Sequence, residues 1–142
     1  MRTWCTALLA TFALGFSGCA SAPSTTVATA DPETKIDLSN SIWAPFSGYF
    51  TQLTGSINQQ WYRILENSRA SPPRGSQVVV HFKLNSSGDT EIVDIEDNGC
   101  GKLGVRAAIA AMDVSSPHPK WTDAMIAQLG TEQTLTFAFI YR

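Results

Sequence analysis

The stretch QVVVHFKLNSSGDTEIVDIED, from Gln77 to Asp97, decides the fold of this chain. In its first half, apolar residues at every second position alternate with Val79, His81 and Lys83, the period-two pattern of a strand with one buried face. The apolar positions are Val78, Val80, Phe82 and Leu84. Asn85 to Asp89 then supplies Asn, Ser, Gly and Asp, which favour a turn. Thr90 to Glu96 alternates again, and the stretch therefore predicts a β-hairpin. In its second strand, the alternation places Val93 and Ile95 on one side and Ile92 and Asp94 on the other.

A hairpin alone is not stable in water, because further strands or a covering helix must bury its apolar face. The segment from Pro45 to about Leu65 predicts an amphipathic helix, since its apolar residues recur at helical spacing. They are Phe46, Phe50, Leu53, Ile57, Trp61 and Ile64, and Tyr62 lies on the opposite side.

Lys102 to about Met112 predicts a second helix. Its face of small residues comprises Leu103, Ala107, Ala110 and Ala111. Trp121 to Leu129 predicts a further helical turn or two.

The last segment, from Gln133 to Tyr141, alternates again and predicts a third strand. The order of helices and strands indicates an α+β domain with a small three-stranded sheet, antiparallel or mixed, and helices on one face. A helical crossover between the second and third strands makes them parallel. We expect the strand order 2-1-3, because the first strand has the most regular apolar face and should be central.

The first residues, 1–18, have the features of a secretory signal peptide. Arg2 precedes an apolar run that is too short to span a bilayer, which takes about 20 residues. The following Ser17-Gly18-Cys19 resembles the lipobox of bacterial lipoproteins, in which the cysteine is lipidated and becomes the first residue. We therefore predict lipidation at Cys19. The alternative is an ordinary secretory signal cut after Ala20 or Ala22.

Residues 19–41 are rich in Ala, Ser, Thr and Pro and predict a disordered tether to a folded domain at 42–142. The residue after the cysteine is Ala20 rather than an aspartate, and in this the chain resembles lipoproteins that are sorted to the outer membrane. The expected location is therefore the periplasmic face of the outer membrane, with free release into the periplasm as the alternative.

Composition excludes one class of partner and offers no cofactor site. The chain has ten Lys plus Arg against twelve Asp plus Glu, without a basic run, so the footprint of a nucleic-acid binder is missing. His81, His118 and Cys100 make a poor set of metal ligands. Asp94, Glu96 and Asp97 are more typical of a solvated strand end than of a cation site. We expect no metal and no cofactor.

The order of these elements resembles the C-terminal domain of the periplasmic proteins TonB and TolA over about Phe46 to Arg142. The resemblance rests on the first helix with its aromatics ending in Trp61, the strand before Ser87-Gly88-Asp89 and the Ala-rich second helix. Pro117-His118-Pro119 and the closing Phe137-Ala138-Phe139 complete the pattern. It implies a non-enzymatic module that grips segments of partner proteins at a sheet edge. The chain departs from the TolA branch in lacking a cysteine on the first strand to match Cys100.

The third strand is the expected binding edge, because it has no charge before Arg142 and its backbone could pair with an added strand. The predicted partner-binding residues are Thr134, Thr136, Ala138 and Ile140. The expected partner is an extended segment of an envelope protein.

Two alternatives remain from the sequence. The first is a passive structural lipoprotein that only spaces the envelope. The second is a thiol enzyme in which Cys100, at the start of a helix, is the nucleophile and His81 or His118 is its base. A buried, inert thiol or an intermolecular disulfide are the other interpretations of Cys100.

Overall fold

A computed structural model describes residues 32–142, which form an open antiparallel sheet with helices. The strands are β1 (Glu33–Ile36), β2 (Gln77–Asn85), β3 (Thr90–Asn98) and β4 (Glu132–Ile140). The helices are α1 (Ser47–Ser68), α2 (Gly101–Ser115) and α3 (Asp123–Leu129), with a 3-10 helix at Ser41–Phe46 before α1. The predicted α+β class and the predicted hairpin are confirmed. Pro45, expected in the first turn of α1, lies in the 3-10 helix instead.

The sheet has four strands in the order β1-β4-β2-β3, so the prediction of three strands is wrong. The three predicted strands keep their expected arrangement, because β2 lies between β3 and β4 and pairs antiparallel with both. The additional strand, β1, pairs antiparallel with β4. It lies within the range assigned to the tether, so ordered structure begins before residue 42.

The hydrophobic core lies between one face of the sheet and the helices. The inward residues of β2 and the matching residues of β4 are almost fully buried: Val78, Val80, Phe82 and Leu84 face this core with Leu135, Phe137 and Phe139. From α1, Trp61 is fully buried and packs edge-on against Phe139 and Tyr141. The aromatic stripe of α1 is therefore part of the core, as expected.

Strand β3 departs from the predicted alternation at a β-bulge. Opposite Val80 lies Ile95, but opposite Phe82 lies Ile92, so one extra residue is inserted between these pairs. Both isoleucines therefore lie on the core side, and Val93 is 54% exposed. The expectation that Val93 and Ile95 share a face is wrong, because the bulge shifts the alternation by one residue.

Helix α2 buries a face of small residues that is displaced from the predicted one. Leu103, predicted on this face, is 60% exposed, whereas Gly104, Ala107, Ala108 and Ala111 are buried. The Gly104 carbonyl accepts a hydrogen bond from the Tyr141 hydroxyl at 3.3 Å, and a β-carbon at this position would lie 3.1 Å from the Pro72 side chain. Close approach of α2 to its neighbours thus determines which face is buried.

Candidate functional site

The sheet has two edges within residues 32–142, and the β3 edge is poorly suited to pairing with another chain. Residues of an antiparallel strand turn their backbone groups to the two sides alternately. Ile95 lies opposite Val80 in a non-hydrogen-bonded pair, so its N–H turns outward. There it donates a hydrogen bond to the Asp94 carboxylate at 2.8 Å. The bulge and the exposed acids Asp94, Glu96 and Asp97 further discourage an added strand.

The opposite edge is formed by β1 and by the part of β4 that β1 leaves uncovered. The four residues of β1 pair from Glu33 opposite Ile140 to Ile36 opposite Phe137. The last hydrogen bond runs from the Asp37 N–H to the Thr136 carbonyl at 3.0 Å. Because β4 has nine residues, its first part, Glu132–Leu135, extends beyond β1.

The structure brings the four predicted binding residues together, but within residues 32–142 only one of them lies wholly beyond the pairing with β1 and Asp37. Thr134, Thr136, Ala138 and Ile140 share the open face of β4, and by alternation they turn their backbone groups away from β2. Ala138 and Ile140 lie opposite Lys35 and Glu33, and Thr136 accepts from Asp37. The expectation that β4 is an exposed edge is therefore wrong along its second half. Thr134 alone among the four turns its N–H and C=O toward the uncovered edge.

An apolar groove lies beside this edge, between the β1 segment and the first half of α1. Its volume is about 400 Å³, and its lining is mainly apolar. The lining residues are Ile36, Leu38, Ser47, Phe50, Thr51, Thr54 and Gly55. The groove lies against the end of β1, and none of its lining residues belongs to β4. In β-augmentation an unpaired edge backbone provides affinity and pockets for alternate side chains provide specificity.

Side-chain contacts at the start of β1 hold this strand against its neighbours. The Tyr62 hydroxyl donates to the Pro32 carbonyl at 2.5 Å, just before the strand. Glu33 pairs with Arg142, the residue that follows Tyr141, and its other carboxylate oxygen lies 3.5 Å from the Lys35 ammonium. Tyr62, which the sequence placed away from the buried stripe, is thus a contact of β1.

A hydrogen-bonded row crosses the open face of the sheet over three strands. Nε2 of His81 lies 3.1 Å from the Glu96 carboxylate, and Nδ1 lies 3.0 Å from the Thr136 hydroxyl. Because a carboxylate only accepts, Nε2 donates, and in the neutral ring Nδ1 accepts from Thr136. The Thr136 side chain is therefore engaged within the sheet. The sequence did not indicate this row, because its members are distant in the chain and meet only through strand register.

Cys100 has the properties of a structural thiol. Its side chain is 6% exposed, and burial raises the pKa of the thiol, whereas nucleophilic cysteines have a lowered pKa. Asp97 accepts hydrogen bonds from the backbone N–H groups of Cys100 and Gly101, so a carboxylate occupies this helix start. Within residues 32–142, neither histidine is hydrogen-bonded to Cys100.

The part of the chain that the structure describes contains no group of three or more His, Cys, Asp or Glu residues placed to hold a metal ion. No helix between residues 32 and 142 is long and apolar enough to cross a membrane. Cys19 and the predicted signal peptide lie outside the described residues.

Comparison with known proteins gives no relative. No family model, no curated protein and no solved structure matches this chain.

Proposed function

We propose that this protein is a non-enzymatic binding module of the bacterial envelope, anchored to the periplasmic face of the outer membrane by a lipid on Cys19. Its ligand is an extended segment of an envelope protein, which pairs with the β4 edge of the sheet. The observation that carries the proposal is the backbone of Thr134, which lies beyond the end of β1, on a sheet whose other edge carries a bulge and exposed acids. The resemblance to the TonB and TolA C-terminal domain supports the same kind of binding.

The edge can be tested with a matched pair of proline variants. Thr134→Pro removes an N–H that faces away from β2, so the internal ladder is kept, but an added strand loses a donor. We expect cross-linking to a discrete partner in native envelopes to fall by about tenfold or more, since each 1.4 kcal/mol of lost binding is a factor of ten. Thr90→Pro is the control, because Thr90 turns its N–H to the opposite edge by the same alternation.

Circular dichroism and urea unfolding establish that both proline variants are folded. Equal cross-linking by folded Thr134→Pro and Thr90→Pro would place the binding site elsewhere. A passive structural lipoprotein would yield no discrete product, and neither variant would change its behaviour. The same experiment therefore separates the binding module from this alternative.

The membrane anchor is tested at Cys19. We expect Cys19→Ser to abolish labelling with a fatty-acid analogue and to move the protein from the membrane to the soluble fraction, since several acyl chains anchor a protein firmly. Cys100→Ser is the control and should keep both the label and the membrane association, because Cys100 is buried in the domain. Membrane association of unlabelled Cys19→Ser would contradict the lipid anchor.

A further inference from the structure

We propose that β1 is a replaceable strand and that the partner segment takes its place on β4, entering at Thr134. This inference rests on the proposed function and deepens it, because it states how the edge is reached and what kind of segment it accepts. The proposal concerns residues 33–36, which the chain itself places on the edge that a partner would use.

The first argument is the unequal length of the two strands. Strand β1 has four residues and β4 has nine, so an incoming strand can pair with the uncovered part of β4 before β1 moves. Thr134 provides the first free N–H and C=O for this pairing. A segment that continues along the whole of β4 then makes more backbone hydrogen bonds than β1 makes, and this surplus favours the exchange.

The second argument is that the polar side-chain contacts of β1 lie at its beginning. The Tyr62 bond to Pro32 and the Glu33–Arg142 pair both lie there, at the far end of β4 from Thr134. At its other end, the strand finishes with Ile36, and the last backbone hydrogen bond runs from the Asp37 N–H to the Thr136 carbonyl. An exchange that starts at Thr134 therefore displaces Ile36 and Leu38 first, and apolar residues of the incoming segment must replace their contacts with the core. It meets the contacts of Pro32 and Glu33 last.

The contacts of β1 also specify the chemistry of the partner. Thr34 and Ile36 lie opposite the core residues Phe139 and Phe137, whereas Glu33 and Lys35 lie on the open face. A segment that replaces β1 antiparallel to β4 needs an acid opposite Ile140, where Arg142 is available. It also needs an apolar residue opposite Phe137 and another opposite Leu135, because both of these side chains belong to the core. The partner is therefore an extended segment with an acidic start and alternating apolar residues.

The test uses a labelled synthetic peptide about as long as β4. Its first four residues copy Glu33–Ile36, and the remainder alternates threonine and valine so that the peptide runs past Thr134. A double variant in which a disulfide can lock β1 to β4 carries Lys35→Cys and Ala138→Cys. These two positions lie opposite each other on the open face. Their backbone positions are those of a hydrogen-bonded pair, with a Cα separation of about 5.5 Å that suits a disulfide.

We expect the reduced double variant to bind the peptide like the wild-type protein and the oxidised form to bind it at least about tenfold more weakly, because locked β1 can no longer leave. Tyr62→Phe should bind it several-fold more tightly, since it frees the start of β1. The Lys35→Cys single variant is the control and should not respond to oxidation.

Equal peptide affinity of the oxidised and reduced forms would overturn strand replacement. If Thr134→Pro nevertheless lost peptide binding, the β4 edge would still be the binding site, and the proposed function would be retained. No peptide binding by the reduced or wild-type protein would count against both proposals.

Hydrogen exchange gives a test that needs no peptide. If β1 opens on its own, the backbone amides of Ala138 and Ile140 should exchange at least about tenfold faster than those of Phe137 and Phe139, which turn toward β2. Oxidising the double cysteine variant should slow only the amides of Ile140 and of the cysteine that replaces Ala138. Equal rates for the two pairs in the wild-type protein would mean that β1 leaves only on global unfolding, and would overturn the inference.

Discussion

Trp61→Ala is expected to lower the free energy of unfolding by about 3–5 kcal/mol, a large part of the roughly 5–15 kcal/mol that stabilises a typical domain. Trp61 is fully buried, and its ring packs edge-on against Phe139 and Tyr141 with centroid distances of 5.1 Å in both cases. Its indole N–H donates to the Tyr141 hydroxyl at 3.2 Å. Alanine leaves a cavity at the contact between α1 and β4 and removes this donor. Urea unfolding measures the effect as a lower midpoint.

Two controls separate the contributions of the tryptophan. Trp61→Phe keeps an aromatic ring and loses the hydrogen bond to Tyr141, so we expect a smaller loss than for alanine. Leu103→Ala on α2 changes a side chain that is 60% exposed and should stay within about 0.5 kcal/mol of the wild type. A Trp61→Ala protein as stable as Leu103→Ala would contradict the packing of α1 on the sheet.

Gly88→Ala is expected to destabilise the fold by about 2–5 kcal/mol, as the sum of a backbone cost and a steric overlap. Gly88 has φ +90°, and a β-carbon there would lie 2.0 Å from the carbonyl oxygen of His118. The loop that contains His118 and Trp121 is hydrogen-bonded to the hairpin turn. The His118 N–H donates to the Gly88 carbonyl at 2.8 Å, and the Trp121 N–H donates to the Ser86 carbonyl at 2.9 Å. The overlap must therefore push this loop away from the hairpin.

Gly75→Ala is the matched control for this overlap. Gly75 has φ +82°, but a β-carbon there meets no atom within 4 Å, so only the backbone cost of roughly 1–2 kcal/mol remains. The difference between the two midpoints in urea measures the contact with His118, and the near-ultraviolet signal of Trp121 should change in Gly88→Ala only. Equal stability of the two variants would contradict the close packing of the hairpin turn and the loop.

The sequence shows which face the predicted binding residues share, but not whether their backbone groups are free. The four residues from Thr134 to Ile140 do share one face of β4, because alternation along a single strand is a local property that the sequence displays. Whether their backbone is free depends on what lies beside the strand. Strand β1 covers Ala138 and Ile140 and stops short of Thr134, and its pairing is not a property of β4 at all.

The sequence by itself determined the hairpin, the amphipathic helix α1 and the last strand, because each is specified by a periodicity within a few neighbouring residues. From Val78 to Leu84 every second residue is apolar, and Gly88 supplies the positive φ that the turn requires. Only the tertiary structure decided the existence of β1, the bulge at Val93 and the row Thr136–His81–Glu96. Glu33–Ile36 is too short and too polar to show a pattern, and it becomes a strand because β4 offers it unpaired backbone groups and an apolar face for Ile36.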